Sequence, residues 1–161
     1  VKKIVNFMVV LFLLCPLYGY SSEEGISNVV DAFSLSIKEK DKSKFLSLFV
    51  EKGVSWIGVF SEEEYQGLNK NSEGQGNVPG KLFHGSPEQF IDWVVGLEGD
   101  PREEFENIKI FTDGNVASVY FEYKFYLNGD LQNWGDESWL LVKSEAGWKI
   151  QAVNFSYTSG N

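Results

Sequence analysis

The chain has 161 residues, with 14 basic and 23 acidic side chains and a net charge of −9, a balance that repels nucleic acid and anionic membranes and sets both aside as partners. Its single cysteine, Cys15, excludes an internal disulfide, and its single histidine, His84, leaves no thiolate or imidazole cluster, so neither a metal nor a resident cofactor is expected. Aromatic residues are abundant (13 Phe, 7 Tyr, 5 Trp), and such residues either fill a core or line an apolar cavity.

The N-terminus opens with Lys2 and Lys3, continues with an apolar run from Phe7 to Leu14, and then places small residues at Gly19, Ser21 and Ser22. This is the order of an export signal, with cleavage expected near residues 19–21 and residues 1–21 forming the signal peptide. The apolar run is about half the length of a membrane-spanning helix, which needs about 20 residues, so no stable anchor is expected after processing. Lipidation at Cys15 is not expected either, because Leu14 stands before it where a small residue is required. Only Lys2 and Lys3 among the charged residues lie in this segment, so processing makes the chain still more acidic. The expected product is periplasmic or secreted, with residues 22–161 forming one domain large enough for a real core.

Within that domain Ile26, Val29, Val30, Phe33 and Ile37 form one stripe of an amphipathic helix from about Ser22 to Glu39. A shorter helix from about Lys42 turns Phe45, Leu48 and Phe49 inward, Gly53 ends it, and Val54 to Phe60 reads as a strand. The run Glu62-Glu63-Glu64 reads as a solvated face, and Asn69 to Gly80 reads as a loop, since it is rich in glycine and almost free of apolar side chains. The glycines match neither a phosphate-binding loop nor a dinucleotide fingerprint. Ser86-Pro87-Glu88-Gln89 is a helix start, followed by Phe90, Ile91, Val94 and Val95 as a buried face that stops near Gly96 or Gly99. From Phe105 the period becomes two. Val119, Phe121, Tyr123, Phe125 and Leu127 share one face of a long strand, Asn128-Gly129 marks a tight hairpin, and strands from about Trp134 to Lys143 and from Trp148 to Tyr157 close the chain. Helices first and an antiparallel meander last make an α+β architecture.

The amphipathic helix at Ile26–Ile37, the strand Val54-Ser55-Trp56-Ile57-Gly58 and the step Phe83-His84-Gly85-Ser86 occur in a recognisable order. With Glu137-Ser138-Trp139-Leu140-Leu141-Val142-Lys143, then Gly147-Trp148-Lys149-Ile150 and Asn154-Phe155-Ser156, this order resembles the nuclear transport factor 2-like superfamily. The resemblance implies a cystatin-like cone: N-terminal helices packed in the concavity of a strongly curved, mostly antiparallel sheet. It also implies a cavity between sheet and helix that can hold a small ligand or a catalytic site, and a homodimer through the outer face of the sheet. Function varies so widely on this fold that the fold does not choose among these.

The catalytic pattern of the ketosteroid isomerase-like members is missing: the strand from Val54 to Val59 has no carboxylate, and the first helix has no tyrosine. The remaining catalytic candidates are His84, as a general base, and Asp136, which would serve as an acid if its face, shared with Ser138, Leu140 and Val142, lined the cavity. The other face of that strand carries Glu137, Trp139 and Leu141. Trp56, Tyr123 and Trp148 are candidate cavity walls, and Asn154, Ser156, His84 and Asp136 are candidate polar contacts. The leading expectation is an exported domain that binds a small, partly apolar molecule. The alternatives are an acid–base enzyme of isomerase, dehydratase or hydrolase type, working with His84 and a cavity carboxylate, and a dimeric envelope interaction protein.

Overall fold

The structure is a computed structural model that describes residues 22–72 and 80–160, with Asn71 and Ser72 described only in their helical backbone. The expected export signal therefore lies outside the described residues, as does most of the expected loop from Asn69 to Gly80.

Helix α1 runs from Ser22 to Glu39 and buries the predicted stripe. It ends where Lys40 takes a positive φ of 53°, with Lys40 N–H donating to Ile37 O and Asp41 N–H to Ser36 O. These two bonds form a Schellman stop, which satisfies carbonyls that the helix leaves unpaired. Asp41 then caps the next helix, α2 (Lys42–Leu46), by accepting from Lys44 N–H at 2.9 Å. Strand β1 (Ser55–Phe60) follows, and then helix α3 (Glu62–Ser72), which the sequence reading missed. Ser61 Oγ accepts from Glu64 N–H, and Glu62, Glu63 and Glu64 occupy the first turn, where negative charge is favoured by the helix dipole. The acidic run is thus a helix start. Strand β2 (Leu82–His84) leads to helix α4 (Pro87–Gly96), capped by Ser86 through Gln89 N–H as its sequence dictates.

Four long strands complete the chain: β3 (Pro101–Thr112), β4 (Val116–Leu127), β5 (Asp130–Ser144) and β6 (Gly147–Ser159). β3 and β5 begin about four residues earlier than predicted, which brings Glu103 into the sheet. The six strands lie in the order β2-β1-β6-β5-β4-β3, with β1 and β6 parallel and every other pair antiparallel. The β4–β5 hairpin turns on Asn128 and Gly129, both at positive φ, the geometry that matches the twist of the flanking strands. Register shifts between Glu106 and Lys109 (with Asn107 at φ 55°), between Phe125 and Tyr126, and between Leu140 and Leu141 bend the sheet.

The concave face carries the predicted row Val119, Phe121, Tyr123 and Phe125, joined by Trp139, Leu141 and Ile150. Phe33 of α1 sits at the hub, with the rings of Phe45, Phe49, Phe90, Phe105 and Trp139 at centroid distances of 4.7 to 6.3 Å. Among the described residues no helix is long and apolar enough to cross a membrane.

Candidate functional site

Packing leaves one corner of the concavity unfilled. Between α1, α4 and the sheet is a small cavity of about 40 Å3, open at one side and lined by Trp56, Tyr123, Phe125, Phe155 and other aromatic rings, together with Glu103, Asn133 and Glu137. Small-molecule pockets span about 300–1,000 Å3, so this space holds a ring-sized ligand only when the lining side chains move apart. Trp93, 48% exposed, stands at the opening with its ring 5.2 Å from that of Phe125. Deeper in, the Phe90 ring lies tilted against Trp56 at 5.3 Å, and Phe155 makes edge-to-face contacts with Trp56 and with Tyr123, each at 6.2 Å.

The sheet register explains the polar floor. Across β3, β4 and β5, Glu103 stands opposite Phe125, which faces Asn133; Phe105 stands opposite Tyr123, which faces Gly135. One row further, Phe121 faces Glu137, and Glu137 faces Phe155 of β6. Because Gly135 has no side chain, the Tyr123 ring reaches across β5 and its hydroxyl donates to Ser156 O at 2.9 Å. A Cβ at Gly135 would lie 2.2 Å from that same oxygen. Ser156 Oγ accepts from Asp136 N–H at 2.8 Å, so Ser156 supports the strand pair at this point. Ser34 of α1 donates to Glu103 O at 2.6 Å and pins β3 beside the cavity.

Glu103 and Glu137 are each only 5% exposed, and Oε2 of each is buried without a hydrogen-bond partner. No Lys, Arg or His forms a salt bridge with either carboxyl among the described residues, where the five ion pairs all lie on the surface. Burial in this apolar setting disfavours the charged form and pushes the Glu137 carboxyl up to about 8, against a smaller opposing pull from the Trp139 indole. That indole N–H lies near the carboxyl but outside hydrogen-bonding geometry. Glu103 is raised well above the usual carboxylate range by burial and then by the neighbouring Glu137 charge. The same burial and the two carboxyls hold the Tyr123 phenol protonated. At neutral pH the floor is therefore a pair of carboxylic acids, each able to donate one hydrogen bond and accept others.

The sequence candidates divide between the two faces of the sheet. Trp56 and Tyr123 line the cavity. Trp148 does not: it packs on α1, where a Cβ at Gly25 would lie 3.0 Å from its ring. Asp136 is exposed on the outer face, beside Tyr120, whose phenol it pushes up. It cannot act as a cavity acid, because alternation along β5 turns Glu137 and Trp139 inward instead. Asn154 and His84 are also exposed and outside, Ile57 pairing with both in one outward row. His84 on β2 is three strands from Asp136 on β5, about 14 Å at the usual spacing, so the two are not brought together. Acid–base chemistry by that pair is ruled out. Among the described residues no group of three or more His, Cys, Asp or Glu is placed to hold a metal.

The sequence matches no family model and no curated protein. Solved structures match in shape. A nuclear transport factor 2-like superfamily protein from Salmonella enterica serovar Typhimurium is 19% identical over 87% of this chain and 92% of its own, with a TM-score of 0.59. A nuclear transport factor 2-like protein with a cystatin-like fold from Novosphingobium aromaticivorans is 11% identical over 87% of this chain and 84% of its own, with a TM-score of 0.61. A protein of unknown function with a cystatin-like fold from Nostoc punctiforme is 11% identical over 84% of this chain and 90% of its own, with a TM-score of 0.57.

Proposed function

Starting from a chain with the nuclear transport factor 2-like, cystatin-like cone, we propose that it binds a small, partly apolar molecule in the cavity between α1, α4 and the sheet, with the polar end of that molecule on Glu103 and Glu137. The observation that carries this reading is the pair of buried carboxyl oxygens without partners at the floor of an aromatic-walled opening. An unpaired buried polar group costs about 1–3 kcal/mol, and a ligand that supplies the missing hydrogen bonds recovers part of that cost. Two buried carboxyls within aromatic walls support binding as the simplest function.

A thermal-shift panel of small aromatic alcohols, amines and amides tests the proposal. Compounds that fit should raise the melting temperature, and Asn133→Trp, which fills the cavity beside Phe125, should abolish the rise. If none of the panel shifts the wild-type protein, the proposal fails. The expected export signal extends the proposal to location: the ligand would be met outside the cytoplasm, which N-terminal sequencing of the processed protein would check.

A second reading concerns the opposite face. Phe111 (66% exposed), Val116 (55%), Leu140 (47%) and Tyr120 (42%) lie on the outer side of β3, β4 and β5. A second copy presents the same patch, so two-fold pairing would cover both at once. Light scattering should give a dimer mass, and Leu140→Glu should lower it to that of a monomer. A wild-type protein that stays monomeric at high concentration ends this reading.

A further inference from the structure

We infer that the occupant of the cavity is a small organic cation, a protonated amine with an apolar body, held by the Glu103–Glu137 pair within a cage of aromatic faces. The inference rests on the ligand-binding reading above and narrows it to a chemical class.

Three observations converge on a cation. The floor is acidic and carries no positive side chain: both carboxyls are 5% exposed, and each keeps one buried oxygen unpartnered. The walls are aromatic. Trp56, Phe90, Trp93, Tyr123, Phe125 and Phe155 line the space, and an aromatic ring attracts a cation placed over its face once water is excluded, by about 2 kcal/mol in desolvated sites. The long-range field agrees, since a chain of net charge −9 concentrates cations and repels carboxylates and phosphates. An anionic ligand would face two acidic groups without a counter-ion. A purely apolar ligand would leave both buried oxygens unsatisfied, whereas an ammonium group offers three donors to them.

Proton balance follows from the same geometry. At neutral pH the empty site holds its carboxyls protonated, so an incoming ammonium keeps its own proton while one carboxyl releases its proton to solvent. The resulting complex pairs one carboxylate with one ammonium, and binding tightens as pH rises. The titratable groups facing this point are Glu103 from β3, Tyr123 from β4 and Glu137 from β5, with Tyr157 of β6 acting on Tyr123. The cavity-lining residues of α1 and α4 are Phe33, Phe90 and Trp93, which do not titrate.

Isothermal calorimetry with benzylamine and its neutral isostere benzyl alcohol, in two buffers of different ionisation enthalpy, reads the proposal directly. Benzylamine should bind at least tenfold more tightly than benzyl alcohol at pH 8. It should release close to one proton at pH 7, and its affinity should rise about tenfold per pH unit between pH 6 and pH 7.5. Glu137→Gln, which mimics the protonated form, should remove the preference for the amine and the proton release while still binding benzyl alcohol. Glu103→Gln provides the second variant should the first fail to fold. Equal or tighter binding of benzyl alcohol, without proton release, overturns the cation assignment and leaves the ligand-binding reading standing. Failure of both compounds to bind overturns both.

Discussion

The buried carboxyl pair should make this protein less stable as pH rises through the neutral range, the reverse of what paired surface carboxylates do. Glu137 moves from its ordinary value of 4.5 to about 8 on folding because burial favours its neutral form. Between those values the folded state holds a proton that the unfolded state has lost. The stabilising contribution is therefore fully present below about pH 4.5 and is lost progressively as pH rises to about 8. At about 1.4 kcal/mol per pK unit, Glu137 alone costs about 2–3 kcal/mol of stability between pH 5 and pH 7. Glu103, shifted in the same direction, adds to the slope. The lowered pKa values of Glu62 and Asp113 act below this window, because both groups stay ionised throughout it. Urea denaturation at pH 5, 6, 7 and 8 reads the effect as a falling midpoint at constant m-value. Glu137→Gln should flatten most of the slope, and the double variant with Glu103→Gln should remove it. Stability that is constant or rises from pH 5 to pH 7 would refute the placement of two protonated carboxyls in the cavity floor.

Other expectations follow from single contacts. Tyr123→Phe removes the hydrogen bond to Ser156 O and should cost about 1 kcal/mol in equilibrium unfolding, with no change in fold by circular dichroism. Gly135→Ala forces a Cβ to within 2.2 Å of Ser156 O and should lower the melting temperature far more than Gly53→Ala, where nothing lies within 4 Å and only the positive φ opposes a side chain. His84→Ala and Asp136→Asn change exposed groups on the outer face and should leave both stability (within about 0.5 kcal/mol) and ligand affinity unchanged, as read by denaturation and calorimetry.

Where residues carried local instructions, the sequence was readable. The stripe at Ile26, Val29, Val30, Phe33 and Ile37, the cap at Ser86-Pro87, the alternation along β4 and the Asn128-Gly129 turn each have one dominant physical meaning, and each occurs as expected. Helix α3 was hidden because Tyr65 and Leu68 are almost its only apolar residues, and because Gly67 and three adjacent glutamates suggest an exposed segment. The site was harder to read for another reason. Alternation separates the two faces of β5 but does not say which is concave, since Leu140 and Val142 look as apolar as Trp139 and Leu141. Burial decides it: Trp139 is fully buried, whereas Leu140 is 47% exposed. Glu103 was missed because β3 appeared to start at Phe105; in Pro101-Arg102-Glu103-Glu104-Phe105 the shared face of Glu103 and Phe105 was the available signal. His84 drew attention as the lone histidine, yet chemical scarcity says nothing about which way a side chain points.

Ligand binding as proposed requires a receptive cavity between Trp56, Tyr123, Glu103 and Glu137. Crystals soaked with benzylamine test it most directly. Density is expected for the ring among the aromatic walls, with its nitrogen within hydrogen-bonding distance of the Glu137 or Glu103 carboxyl. A cavity closed by Trp93 and Phe125, with the compound bound only on the outer face or not at all, would contradict it.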